Sequence, residues 1–460
     1  MRIGVRSASK LDPDTIRLNS GYYLSADQVI FDALKRWGEA SVPVGEIADV
    51  YKGNIFRRVY VDNVVFSEPY VSASDLDRTD YWGCRRISSS HGDFLDRLVL
   101  RSKMTVVTCS GVNLGWSALI RPDMDGVVGS HDLIRVLPRD SAEAGYVAAF
   151  LCSKYGRLSV RRFIYGTSIK HVEPHHVAQV LVPWPDESTR REIGTQFWGA
   201  AERRSMSSAL IEEATRVVFD SVGLRDLDEG EWAAMGRDLG FVATASARSL
   251  RGWNYAPRAR LLVDRLLGTK NVLLGSLVLP GGLSKGPSFS RIDAKPPHAV
   301  QLISQRQLFR YVPDGRMVSR AHMPAKSYCP PGTVLIAARG TFGEAEVFCR
   351  AQYVSPRTSK WVYSNDILRV QVASELSPWV YAFLRSRVAF RCLRSIATGS
   401  KQQDLHPEML AELPVPIGGH AALEQVGSLV VEAVRLRDEA ADLEETAHRS
   451  IETMLDSGAA

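Results

Sequence analysis

The side chains most able to do chemistry in this chain are histidines, carboxylates and thiols, and their spacing speaks against catalysis. His171, His175 and His176 lie close together, but His175 and His176 are neighbours rather than one helical turn apart, and the matching stretch further on keeps only His406. Metal ligands must converge on one point, so no metal site is expected. Pro185-Asp186-Glu187 is the nearest approach to a nuclease cluster. It precedes a long Pro-free segment, where an acidic residue caps a helix and meets its dipole. Ser67-Glu68-Pro69-Tyr70 only faintly echoes the Pro-Pro-Tyr motif of adenine methyltransferases, without the Asn/Asp, the second Pro or a Gly-rich cofactor loop. No G-x-x-x-x-G-K-[ST] occurs, so nothing points to ATP use. Six scattered cysteines with no C-x-x-C pair fit incidental thiols in a reducing compartment. The chain is expected to be no enzyme and to carry no cofactor.

The chemistry that remains is recognition. Arg, Gln and Asn bond base edges, and Lys and Arg neutralise phosphates. The net charge of +6 is mild, but residues 281–361 hold twelve Lys/Arg against four acids. Base-reading candidates there are Gln305, Arg306, Gln307 and Arg310. In the first half they are Arg57, Arg58, Arg85, Arg86 and Asn113. Lys285, Arg339, Arg357, Lys360 and Lys401 suit phosphates, and Lys52, Lys170, Arg291 and Gln402 complete the expected DNA contacts. The segment around Asp438, Glu439, Asp442, Glu444 and Glu445 is acidic, which suits a scaffold rather than a polyanion site.

These residues sit in a chain written twice. Gly166 to Pro174 is answered by Gly399 to Pro407, a shift of 233, which also carries Val182-Pro183 onto Val415-Pro416 and Tyr146 and Phe150 onto Trp379 and Phe383. Ser130 to Val136 matches Ser364 to Val370, and Val106 to Gly111 matches Leu335 to Gly340. A period of half the molecule means a duplicated domain rather than a short-repeat solenoid. Each copy opens with a helical lead (Gln28–Leu34, Arg260–Leu266) and a strand-like start (Val44-Gly45-Glu46-Ile47, Leu274-Gly275-Ser276-Leu277). A divergent Gly/Pro/aromatic stretch follows, then buried strands, a helix, the Gly…Pro loop and a Val-Pro exit. Two similar modules suit a ligand with two similar halves, and duplex DNA with a split target leads.

After each exit comes a long helix, expected over about 188–218 and 421–455. Heptad seams run through Ile193, Phe197, Ala200, Arg204, Ser207, Ile211, Ala214 and Val218, and through Leu429, Ala433, Leu436, Ala440, Leu443, Ala447, Ser450 and Met454. The helices are expected to pair antiparallel, with Ile193, Phe197, Ile211 and Val218 facing Leu429, Leu436, Leu443 and Met454. Arg204 and Ser207 interrupt the first seam. Helices of this length are about 45–53 Å long and would set two reading units on the order of 50 Å apart, roughly 15 base pairs of duplex.

This order of parts resembles the specificity (S) subunit of type I restriction–modification systems over nearly the whole chain. The most telling piece is Ala397 through Pro407 with Leu410, Leu413-Pro414-Val415-Pro416 and Leu423-Glu424-Gln425; Tyr165-Gly166-Thr167 through Pro185 matches more loosely. The resemblance implies an α+β fold with an internal pseudo-two-fold: a lead and first target recognition domain over 1–185, a conserved helix over 186–222, a linker, second lead and second recognition domain over 223–417, and a second conserved helix over 418–460. It implies a non-catalytic DNA reader that docks two N6-adenine methyltransferase subunits, which hold S-adenosylmethionine, with a restriction translocase as a further partner in phage defence. The extended leads, with Gly21-Tyr22-Tyr23 and Gly252-Trp253-Asn254-Tyr255, depart from the family pattern and leave open a related defence system. No apolar run is long enough for a membrane span and no h-region opens the chain, so a cytoplasmic location is expected. The other readings are a tandem-domain interaction scaffold without a DNA role, and a divergent DNA methyltransferase or nuclease.

Overall fold

The computed structural model describes residues 33–457 except 35, 62–63, 81–82, 167–169 and 247–248. The lead with Gly21-Tyr22-Tyr23, most of the expected Gln28–Leu34 helix and the tip of the Gly166 loop lie outside the described residues.

Helix and sheet are mixed within each half, giving an α+β chain. The first half contains β1 (Ser41–Pro43), β2 (Ala48–Lys52), β3 (Ser67–Val71), β4 (Arg85–Ser88), β5 (Thr105–Thr108), β6 (Ser117–Leu119), β7 (Val128–Gly129), β8 (Leu133–Pro138) and β9 (Leu181–Pro183). They form an antiparallel sheet in the order β2-β8-β5-β6, a small sheet β4-β3-β7, and the pair β1-β9. The second half contains β10 (Asn271–Leu273), β11 (Val278–Lys285), β12 (Ala299–Ile303), β13 (Arg316–Ser319), β14 (Val334–Ala337), β15 (Arg339–Gly340), β16 (Ala351–Tyr353), β17 (Val362–Tyr363), β18 (Ile367–Val372), β19 (Thr398–Gly399), β20 (Gln403–Asp404) and β21 (Pro414–Pro416). Here the orders are β11-β18-β14-β16, β13-β12-β17 and β10-β21, so strand for strand the second half repeats the first. The ribbon β15-β20-β19 corresponds in the first half to isolated bridges of His171 with Ser110 and Tyr165.

Matched residues do matched work. The inner strands β5 and β14 are buried on both faces, as their apolar runs require. Arg135 on β8 and Arg369 on β18 lie fully inside the two main sheets. Arg135 donates to the carbonyls of Leu98, Gly129, Ser130 and Leu133, and Arg369 to those of Tyr363 and Ile367. Each guanidinium thus ties the small sheet to the large one. The helices α1 (Ala144–Cys152) and α2 (Lys154–Arg162) recur in the second half as Ser377–Leu384 and Arg387–Ser395, and Tyr146 Oη and Trp379 Nε1 each bond the carbonyl of the exit proline, at 2.5 and 2.8 Å.

The strand-like starts are corrected. Val44–Ile47 and Leu274–Leu277 are single helical turns flanked by strands, because the chain must step there from the exit pair into the main sheet. The turn presses close to the segment after the Gly…Pro loop. A Cβ on Gly45 would sit 3.1 Å from Ala178 Cβ, and one on Gly275 3.0 Å from Ala411 Cβ.

The long helices are α3 (Glu187–Asp220) and α8 (His420–Ser457); between them lie α4 (Glu229–Ala234), α5 (Pro257–Leu267), α6 (Ser377–Leu384) and α7 (Arg387–Ser395). Asp186 caps α3 through Thr189 N–H and the Ser188 and Thr189 hydroxyls, and these bonds hold its carboxyl well below the usual range. Phe197 meets His448, Arg204 pairs with Glu444 and Ser207 Oγ donates to Ala433 O, so α3 and α8 run antiparallel. The two polar residues expected to interrupt the seam are therefore satisfied across it. The buried face of α8 is Val426, Val430, Ala433, Val434, Leu436, Ala440, Ala447, Ile451 and Leu455. It follows the expected heptad only in the middle; Leu429, Leu443 and Met454 are half-buried. A straight helix drifts about 20° per heptad against a 3.5 repeat. The ends of α8 also serve different cores. Val426, Val430 and Val434 pack in the second half, Ala447, Ile451 and Leu455 in the first. The same crossing holds for α3, with Ile193 and Phe197 in the first core and Ile211, Val218 and Phe219 in the second.

At 34 and 38 residues, α3 and α8 are about 51 and 57 Å long, yet the halves touch directly. Thr79 N–H donates to Phe309 O and Tyr311 N–H to Asp77 O. Arg350, almost fully buried, pairs with Asp80 at 2.9 Å. Gly83, at φ +71°, fits because it lacks a Cβ, which would lie 2.1 Å from Glu344 O. The guanidinium groups of Arg121 and Arg204 lie over the Tyr311 ring at 4.8 and 4.9 Å, and its hydroxyl meets Ser208. Loop-to-loop complementarity of this kind leaves no periodic signal in the sequence.

Candidate nucleic-acid interface

One end of each main sheet gathers four segments. In the first half these are the end of β2, the loop after β5, the residues before β8 and the Gly166–Pro174 loop. Lys52 Nζ meets Glu173 at 2.6 Å, Ser110 Oγ leans on Asp132, Val172 N–H donates to Cys109 O, and the Phe56 ring lies against His131. In the second half Lys285 meets both oxygens of Asp404 at 2.6 Å, and Arg339 pairs with Asp366 at 2.9 Å. Gly340 and Gln403 pair across β15 and β20. The corner is thus built twice on one plan. Gly166 and Gly399 turn its loops at φ +94° and +100°, and at Gly399 a Cβ would strike Gln402 O at 2.2 Å.

The candidate contacts divide into committed and exposed groups. Lys52 and Lys285 are not mobile point charges, since each is locked to a carboxylate that fixes the Gly…Pro loop; at Lys52 burial pulls the pKa down, but the bond to Glu173 together with the charges of Cys109, Glu173 and Tyr165 raises it on balance. Gln305 bonds both the N–H and the carbonyl of Arg339 at 2.9 Å. Gln307 accepts from Ser304 N–H and Oγ and donates to Asp314 O. Arg86 binds Ser67 Oγ and O, and Arg310 faces Asp77 of the first half at 3.8 Å. Arg339 is held in the corner, and Arg357 lies on α8 against Asp442 and Glu445. These eight side chains are already bonded within the chain. A donor spent inside the chain must be released before it can bind outside.

The exposed group is smaller. Arg57, Arg58, Asn113 and Lys170 stand on the first corner's loops, and Arg85 lies over Tyr60 beside them, 5.0 Å from the ring. Arg306, Lys401 and Gln402 are exposed at the second corner, tied to it through Gln305 and Gln403. Arg291 and Lys360 are exposed on other segments: the Arg291 carbonyl accepts from Arg316 beside the small sheet, and Lys360 follows Arg357 near α8.

Sequence reasoning missed the brace behind the second corner. Arg251 bonds Ala397 O and Gln403 Oε1, Trp253 Nε1 donates to Arg394 O and stacks on Phe342 at 4.5 Å, and Asn254 bonds Ser395 O and Ala397 O. The Gly-Trp-Asn-Tyr run was the signal, since aromatic and amide groups cluster there for no helical or strand period. Among the described residues no group of three His, Cys, Asp or Glu side chains is placed to hold a metal. His176 Nδ1 accepts from Glu173 N–H at 3.1 Å as part of a helix cap, and Tyr70 of the Ser-Glu-Pro-Tyr run is a buried strand residue bonded to Ser130. Among the described residues no helix is long and apolar enough to cross a membrane.

No family model and no curated protein matches the chain. Among solved structures it is similar to the S subunit of a type I restriction–modification system from M. genitalium, at 14% identity and TM-score 0.34, over 91% of this chain and 94% of that one. It is similar to the HsdS subunit from Thermoanaerobacter tengcongensis at 16% identity and TM-score 0.26, over 91% and 95%. A third neighbour, from a study of complex assembly and conformational transition of the type I R-M system, stands at 16% identity and TM-score 0.27, over 91% and 96%.

Proposed function

We propose that this chain is a non-catalytic DNA-recognition subunit that reads a bipartite target, one half-site per corner, and carries N6-adenine methyltransferase subunits on α3 and α8. The observation that carries the reading is the corner built twice, each copy with its own exposed Arg, Lys and amide side chains. A duplicated frame with divergent tips suits two different half-sites, because base edges are told apart by side-chain type and position. S-adenosylmethionine belongs to the partner in this reading, and a restriction translocase is the further partner.

Single-molecule sequencing of methylated bases in the host genome, with and without this gene, tests it. A two-part methylated motif should vanish with the gene. Exchanging residues 281–331 for those of a relative should rewrite one part of the motif and leave the other. A motif that changes in both parts, or in neither, contradicts two independent readers.

A further inference from the structure

The two corners differ in one respect that their shared plan does not require. On the first, Ile55 is 80% exposed and Val112 wholly exposed. The equivalent positions of the second, counted from Lys285 and Arg339, are Ser288 and Thr341. A lone apolar side chain on a surface is ordinary. These two stand on neighbouring loops of one corner, among the exposed cations Arg57, Arg58 and Lys170 and beside the exposed amide of Asn113. Two carboxylates of this corner are engaged, Glu173 by Lys52 and Asp132 by Ser110. A cationic rim around projecting aliphatic side chains matches a polyanion with an apolar interior, which is duplex DNA opened at a base step. Apolar wedges flanked by cations unstack such steps and kink the helix.

Resting on the DNA-reading role, we propose that Ile55 and Val112 enter the duplex as apolar wedges, unstacking a base step in the first half-site, while the second half reads an undistorted one. The deformation favours targets whose first half-site holds a flexible pyrimidine–purine step, so part of the specificity there comes from deformability rather than from base-edge bonds.

The test uses the full chain and a duplex carrying its mapped methylation motif, with 2-aminopurine placed in turn at steps of each half-site. Binding should brighten the probe several-fold at one step of the first half-site and at none of the second. The Ile55→Ala, Val112→Ala double variant should lose that signal and bind about tenfold more weakly, with its salt dependence unchanged because no phosphate contact is lost. Ile55→Leu with Val112→Ile should keep the signal. Tight, salt-dependent binding with a silent probe, equal brightening in both half-sites, or a signal that survives the double alanine change overturns the wedge and leaves DNA reading intact. Absence of salt-dependent binding by the native chain overturns the DNA-reading role itself.

Discussion

Arg135 and Arg369 are the residues on which the two halves most plainly depend. Burial pushes the Arg135 guanidinium down to about 10, still charged at neutral pH, and its bonds go to four backbone carbonyls rather than to a carboxylate. Arg135→Leu should cost about 3 kcal/mol, because buried carbonyls lose their donors. Arg369→Leu should cost less, since its bonds are fewer and longer. Urea unfolding of the full chain reads both, and an Arg135→Leu loss under about 1 kcal/mol would mean that water replaces the guanidinium. At this scale the sequence is legible where a residue type has one job. Asp186 before a Pro-free run is a cap, and it caps. It is illegible where one type has two jobs. Gln305, Arg306 and Gln307 look alike as readers, yet the two glutamines close loop backbone and only the arginine between them is exposed, because their partners Arg339 and Asp314 are set by folding rather than by spacing.

Among elements, α3 and α8 carry the clearest pattern, and the seam read from the heptad is correct at the centre and rotated at the ends. Apolar periodicity sees a helix as one face. It does not see that Val426 and Val430 answer to one core while Ile451 and Leu455 answer to another. The small residues Ala433, Ala440 and Ala447 are wholly buried, so α3 and α8 approach closely there. Ala440→Leu should overpack this crossing and cost about 1–3 kcal/mol. Leu436→Lys should cost about 3 kcal/mol or more by burying a charge, whereas Leu443→Lys should cost about 1 kcal/mol, since the longer stem can carry its ammonium to water. Thermal unfolding ranks the three, and a Leu443 variant as damaged as the Leu436 one would restore the regular heptad.

The direct junction between the halves is a property of the whole molecule. Asp77 lies within it, and burial lifts its carboxyl from the ordinary range to about 7 despite Arg204 and Arg310, with Glu444 adding to the rise. A carboxyl raised in the closed state holds its proton better there than when exposed. Its stabilising contribution is therefore complete at low pH and is lost as pH rises from the exposed carboxylate range through about 7. The junction should weaken by roughly 2 kcal/mol between pH 5 and 7.5, at about 1.4 kcal/mol per unit. Asp77→Asn, which can still accept from Val312 N–H, should remove that slope and hold the halves together at pH 7.5. Fluorescence energy transfer between probes on the two halves measures it; an unchanged slope in the variant would place the titrating group elsewhere.

The crossing of α3 and α8 also sets an order of events in time. The first core is closed by Ala447, Ile451 and Leu455, which follow the whole second half in the chain, while the rest of that core lies before residue 202. Until these residues are made the first half stands with an open apolar seam, and it is sealed by a helix that is also anchored in the half made after it. The first half is therefore completed only after the second, and a chain stopped near residue 440 would leave the first core open.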